Sequence, residues 1–153
     1  MWAIMPEMAE QLFQIAAKAV VRNETGDILM VRISKWRDNP EHWDLPGGRM
    51  DPGEGFLDTL KRELQEELGV TYTGTPKQLM SILTKITIPV DGIPTPLVFI
   101  IYEVALPAGA KITLDPSGNE LDYQWFAPAE AAKVMEFKFS DDFCDLIYSW
   151  GNA

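Results

Sequence analysis

The chain has 153 residues, 46% of them hydrophobic, which suits one domain with a sizeable core. It carries 23 acidic against 13 basic residues, a formal net charge of −10. That balance argues against a nucleic-acid binder, because phosphate backbones are gripped by net positive surfaces, but it allows a small phosphorylated substrate, since a bound cation can reverse the local sign.

The N-terminal MWAIMPEMAE has no basic region and no long apolar run, so no signal peptide is expected. The longest apolar run, Leu97 to Tyr102, is far too short to cross a bilayer. The expectation is a soluble cytoplasmic protein without a membrane partner. A single cysteine, Cys144, rules out an internal disulfide and sits among apolar residues, as a core cysteine does.

Residues 14–21 and 28–33 are β-branched and apolar, and they flank Asn23-Glu24-Thr25-Gly26-Asp27, so they read as two strands joined by a turn. Residues 34–47, with Pro40, Pro46 and Gly47, read as loop. A helix is expected from Phe56 to Leu68, with Gly69 as its C′ residue. Residues 79–90 alternate, placing Ile82, Thr84, Ile86, Ile88 and Val90 on one face, and Asp91-Gly92 signals a hairpin. The strand that follows, 97–104, is continuously apolar and is expected to be buried on both faces, with Pro94 and Pro96 confining its start to an edge or a loop. After the loop 115–119 comes a short strand, 122–126. Pro128 opens a helix to about Met135. Ser140 is placed to cap a last helix whose buried stripe is Phe143, Leu146, Ile147 and Trp150. With no repeat or linker in sight, the order suggests a single α/β layered domain over 1–153, helices covering a mixed sheet.

The densest chemistry lies at residues 48–70, GRMDPGEGFLDTLKRELQEELGV. Leu57, Leu60, Leu64 and Leu68 form one stripe that packs the helix onto the sheet. Glu63, Glu66 and Glu67, related by three and four residues, share a face roughly 110° around from that stripe. They therefore line the rim of the core and face a cleft. Like charges this close raise one another's pKa, and a divalent cation such as Mg²⁺, which takes oxygen ligands, removes the penalty. Arg62 can pair with Glu54 and Glu66. Gly47 and Gly48 allow close backbone approach and can present a carbonyl to metal. The competing reading is a solvated acidic helix. The loop, the arginine and the glycines at fixed offsets weigh against it, and so many fixed positions do not arise by chance in a chain of this size.

These offsets match, at every position, the signature box of the Nudix hydrolases: Gly48, Glu54, Arg62-Glu63, Glu66-Glu67 and Gly69, with aliphatic Leu64 and Val70. His42-Trp43-Asp44-Leu45-Pro46-Gly47-Gly48 resembles the family's approach to the box, and Glu120 ahead of Trp125-Phe126 resembles its later acidic residue and strand. The resemblance implies an α/β/α sandwich with a mixed β-sheet flanked by helices. It implies a MutT-like hydrolase of phosphoric anhydride bonds, cleaving a nucleoside diphosphate linked to a group X with Mg²⁺ or Mn²⁺. Water attacks a phosphorus in line, a carboxylate takes the water's proton, and the cation offsets charge on the phosphate oxygens.

Carried over, the resemblance makes Glu63, Glu66 and Glu67 metal ligands together with the Gly47 carbonyl. Arg62 and Glu54 become a supporting pair, and Glu120 a further ligand or the general base. In some members the residue matching Glu63 is that base. Arg32, Lys35 and Arg37 are candidates for substrate phosphates, and Trp36 and Phe56 for stacking on a nucleobase. Trp43 is expected to be structural. Three readings of the substrate stay open: a (d)NTP or oxidised (d)NTP first, a nucleotide sugar or ADP-ribose second, and a non-catalytic nucleotide-sensing module third. No S-Q-P-W-P-F-P-x-S follows the box, and Ile86 and Thr87 stand where ADP-ribose or dinucleoside polyphosphate enzymes carry proline or tyrosine. Homodimers are common in the family and are an expectation here.

Overall fold

Three strands send alternate side chains into two separate cores, and this division sets the architecture. The computed structural model describes residues 10–33 and 42–152. Strand β1 (Gln14–Val21) gives Ala16 and Val20 to one core and Ala17, Ala19 and Val21 to the other. Strand β2 (Ile28–Ile33) splits Ile28 and Met30 from Leu29 and Val31. Strand β6 (Ile93–Val104) splits Leu97, Phe99 and Ile101 from Ile100, Tyr102 and Val104. The expectation of burial on both faces of 97–104 is met, and it explains why that run does not alternate in polarity.

Helices cover both sides. Helix α1 (Phe56–Leu68) seals the second core with Leu60, Leu64 and Leu68, all fully buried. Leu57 is a correction: it is 42% exposed, in the first turn, and burial along the stripe begins only at Leu60. Gly69 ends the helix in the left-handed conformation, φ 66°, and its N–H bonds the Gln65 carbonyl. Helices α2 (Pro128–Met135) and α3 (Asp141–Trp150) close the first core with Ala131, Met135, Phe143 and Ile147. Ser140 takes the extended N-cap backbone of α3, but its side chain makes no capping bond, contrary to expectation.

With β3 (Trp43–Asp44), β4 (Gly47–Arg49), β5 (Lys77–Val90) and β7 (Glu120–Phe126), the strands form a four-stranded sheet, β4-β1-β6-β5, and a three-stranded sheet, β3-β2-β7. The first is mixed: β1 runs parallel to β6, with Ala17 opposite Ile100, and antiparallel to β4. The turn at 23–27 does join β1 to β2, but the strands then part into different sheets after an isolated bridge between Arg22 and Ile28. Two short strands, β3 and β4, replace part of the expected loop, since their ladder partners lie in β2 and β1 and leave no local signal. Strands β5 and β6 form a hairpin over Asp91-Gly92, both with positive φ. β6 starts earlier than expected, at Ile93, with Pro94 opposite Pro89; β1 joins it only from Leu97, so the prolines sit in an edge segment. Strand β7 also starts early and takes in Glu120. No helix among the described residues is long and apolar enough to cross a membrane.

Candidate active site

The loop before α1 folds around one carboxylate. Glu54 Oε2 accepts hydrogen bonds from the Asp51 N–H at 2.9 Å and the Thr59 hydroxyl at 2.7 Å. Arg62, two turns into the helix, donates to both Glu54 oxygens. These bonds, Arg62 foremost, draw the Glu54 carboxyl down to about 2. The same guanidinium reaches Glu63 at 2.9 Å, Glu66 at 3.2 Å and the Arg49 carbonyl at 3.0 Å. One arginine thus ties the loop, β4 and two helix carboxylates together, and Glu54 chiefly holds its pKa above the ordinary value.

Glu67 points the other way, under β4. Its Oε2 accepts the Gly47 N–H at 2.7 Å, and the side chain is buried. Burial pushes its carboxyl well above the usual range, against the pull of Lys18; Glu120 and Glu63 add to the rise. Glu63 is raised as well, by burial first, although Arg62 opposes it. The three glutamates line one cleft of about 760 Å³, as does Glu120. Among the described residues no three such side chains converge closely enough to hold a metal ion as they stand. The reason is visible: Glu63 and Glu66 are bonded to Arg62, and Glu67 to the Gly47 N–H.

The expected substrate contacts fare differently. Arg32 is half-buried on β2, opposite Trp43 and Asp122, and does not line the cleft. Phe56 stands 41% exposed at the start of α1, also outside it. Lys35, Trp36 and Arg37 lie outside the described residues. Trp43 is buried edge-on against Phe126, in keeping with a structural role.

Sequence reasoning missed the cleft floor. Lys18 of β1 and Lys138 of the α2–α3 loop both donate to Asp44 Oδ2, and all three are nearly fully buried. Burial opposes the Asp44 charge, yet the two lysines outweigh it and hold its carboxyl below the usual range. Lys18 is raised, its burial outweighed by Asp44 and Glu67, whereas burial wins at Lys138 and lowers it. The available signals were a lysine inside the apolar AAKAV run and another between Phe137 and Phe139.

A family model of the NUDIX domain matches residues 12–145. The chain belongs to the Nudix family. Among Nudix relatives, the 8-oxo-dGTP diphosphatase of Haemophilus influenzae is 38% identical over 63 residues, covering 41% of this chain and 46% of that protein. The chain thus spans about half the length of that curated relative. The asymmetrical bis(5′-nucleosyl)-tetraphosphatase of Mus musculus is 27% identical over 124 residues, 76% of this chain and 74% of that one. Among solved structures, the MutT protein of Methanosarcina mazei superposes with a TM-score of 0.64 at 24% identity, covering 94% of this chain and 96% of that one. That likeness confirms the Nudix fold, a mixed sheet flanked by helices.

Proposed function

We propose that this Nudix protein is a Mg²⁺- or Mn²⁺-dependent pyrophosphohydrolase of nucleoside diphosphate-X substrates, with a (d)NTP or oxidised (d)NTP as the first candidate. The observation that carries the reading is the carboxylate face of α1, with Glu63, Glu66 and Glu67 in one cleft and Glu67 buried against its own charge. The donor set fits a hard divalent cation: all ligands are oxygens, and a cation removes the cost that burial imposes on Glu63 and Glu67. Glu63, Glu66, Glu67 and the Gly47 carbonyl would hold it, with Glu120 as a further ligand. A bound cation would supply charge neutralisation at the phosphate oxygens.

The chain's own groups take the remaining parts. Arg62 positions Glu63 and Glu66 and is itself positioned by Glu54. The Gly47 N–H orients Glu67. Glu63, raised by burial, is suited to accept the proton of an attacking water, and Glu120 is the alternative acceptor. The names of the bacterial and murine relatives support nucleotide anhydrides as substrates, and the murine one makes a dinucleoside tetraphosphate the second substrate to try.

Incubating the protein with Mg²⁺ and a panel of dNTPs, 8-oxo-dGTP, dinucleoside tetraphosphates and nucleotide sugars tests the proposal. Nucleoside monophosphate and pyrophosphate are the expected products from the triphosphates, whereas release of a sugar phosphate or of two nucleotides would move the substrate to a nucleotide sugar or a dinucleoside tetraphosphate. Tight binding without turnover of any of them would replace it with a sensing module. Glu63→Gln and Glu120→Gln decide the proton acceptor, as the one whose loss removes the acid limb of the pH–rate profile.

A further inference from the structure

The two lysines under the cleft do not use their donors equally. Lys18 commits all three N–H groups, to Asp44 Oδ2 at 3.0 Å and to the carbonyls of Leu45 and Gly47 at 3.2 Å each. Lys138 commits one, to the same Asp44 oxygen. It is nonetheless only 5% exposed, and its side chain lines the cleft. Two of its N–H groups therefore have no acceptor oxygen among the described residues; the Phe99 ring centroid lies 5.4 Å from the nitrogen. A buried ammonium with uncommitted donors is costly unless a ligand or water supplies the acceptor.

A break in the sheet holds Lys138 there. The β5–β6 register shifts between Leu83 and Thr87, and the Thr84 hydroxyl donates across the gap to the Ile86 carbonyl at 3.0 Å. The Lys85 N–H turns to the Lys138 carbonyl at 2.8 Å, while the Lys85 ammonium bonds the Glu136 carbonyl and pairs with Asp141. Irregularities of this kind re-aim groups beside functional sites. Apolar Ile88, Pro89, Leu97 and Phe99 line the same cleft as the carboxylates and Arg62, and Phe99 is the ring beside the Lys138 nitrogen. The cleft lining thus combines oxygens fit for a cation, apolar groups fit for a planar ring and, on the floor, one donor-only head.

We propose that Lys138 is a specificity-determining residue that reads a carbonyl oxygen on the nucleobase, favouring 6-oxopurines over 6-aminopurines. An ammonium has donors and no acceptor, so it bonds a carbonyl and opposes an amino group. The inference rests on the nucleotide-hydrolase reading and names the substrate subclass of that site. A phosphate oxygen offers the same acceptor chemistry, and the test separates the two.

Lys138→Met and Lys138→Gln are compared with the unmodified protein, for turnover of dGTP and dATP with Mg²⁺ and for equilibrium binding of both with Ca²⁺ instead. Lys18 still pairs with Asp44 in both variants, and circular dichroism checks the fold. The unmodified protein should prefer dGTP by roughly tenfold or more, and Lys138→Met should collapse that ratio toward one by a roughly 10- to 100-fold loss on dGTP. Lys138→Gln, which can donate and accept, should fall between. An equal loss on both nucleotides would mean a phosphate contact or a structural role and would overturn the proposal, as would an unchanged ratio or no preference in the unmodified protein. Absence of turnover on every nucleotide would sink the hydrolase reading alone, because the binding ratio still tests Lys138.

Discussion

Gly48 and Glu63 meet so closely that a Cβ built on Gly48 would lie 2.4 Å from the Glu63 Oε1. The carboxylate occupies the space that a side chain on β4 would fill. Gly48→Ala should therefore push a flexible carboxylate out of place without disturbing the core. The expected result is a stability change under about 1 kcal/mol with a roughly 10- to 100-fold loss of turnover. Gly47→Ala is the contrast: its Cβ would lie 2.1 Å from the Ala17 carbonyl at φ +129°, so a cost of about 3 kcal/mol or more is expected. Paired thermal melts and kcat measurements check both, and an active Gly48→Ala protein would remove Glu63 from the proposed machinery.

Glu67→Gln should lower kcat by roughly two orders of magnitude or more, because a proposed cation ligand is lost. The fold should survive. The glutamine carbonyl can still accept the Gly47 N–H, and burial already works against the Glu67 charge. The melting temperature without cation should hold or rise, and its increase on adding Mg²⁺ should shrink. Near-normal kcat would refute the proposed metal site.

Asp44→Asn leaves two buried ammonium groups facing a neutral side chain. Removing one partner of a buried charge network costs about 3–5 kcal/mol, and urea unfolding should register a loss of that size. A loss below about 1 kcal/mol would mean that the lysines are neutral or solvated in the native protein.

His42 gives a pH signature. Burial first, and then Lys138, hold its imidazole down to about 4 from an ordinary 6.5. Between those values the unfolded chain binds a proton that the folded chain refuses. The His42 contribution is thus intact above pH 6.5 and is lost as pH falls toward 4. Glu63 and Glu67, raised by burial, act with opposite sign: their contribution is lost as pH rises through their raised values. Comparing the protein with His42→Phe, which keeps a ring against Phe137, isolates the histidine. The variant should lose less stability between pH 6.5 and 4, and identical slopes in denaturant titrations would contradict the assignment.

Local order in the sequence carried much of the fold. Helix α1 is bounded as expected at Phe56 and Leu68, because the leucine stripe and Gly69 act over a few residues. The Asp91-Gly92 hairpin and the proline start of α2 are equally local. Leu57 was misjudged because periodicity does not say where along the stripe burial begins. Strands β3 and β4 were hidden because two or three residues have no period of their own. Arg32 was a reasonable phosphate contact by position, but it sits between Trp43 and Asp122 in the β3-β2-β7 sheet and does not line the cleft, a placement set by strand pairing.

The sequence by itself determined the family, the helix that carries Glu63, Glu66 and Glu67, and the arginine placed to clamp them, since these follow from fixed offsets and the 3.6-residue turn. Only the tertiary structure decided the cleft floor. Lys18 and Lys138 reach Asp44 from 26 and 94 residues away, through the β1–β4 pairing and the break in β5. Charges brought together over such distances leave no periodic mark on the chain. Their meeting depends on strand register and loop docking, which arise only when both cores close.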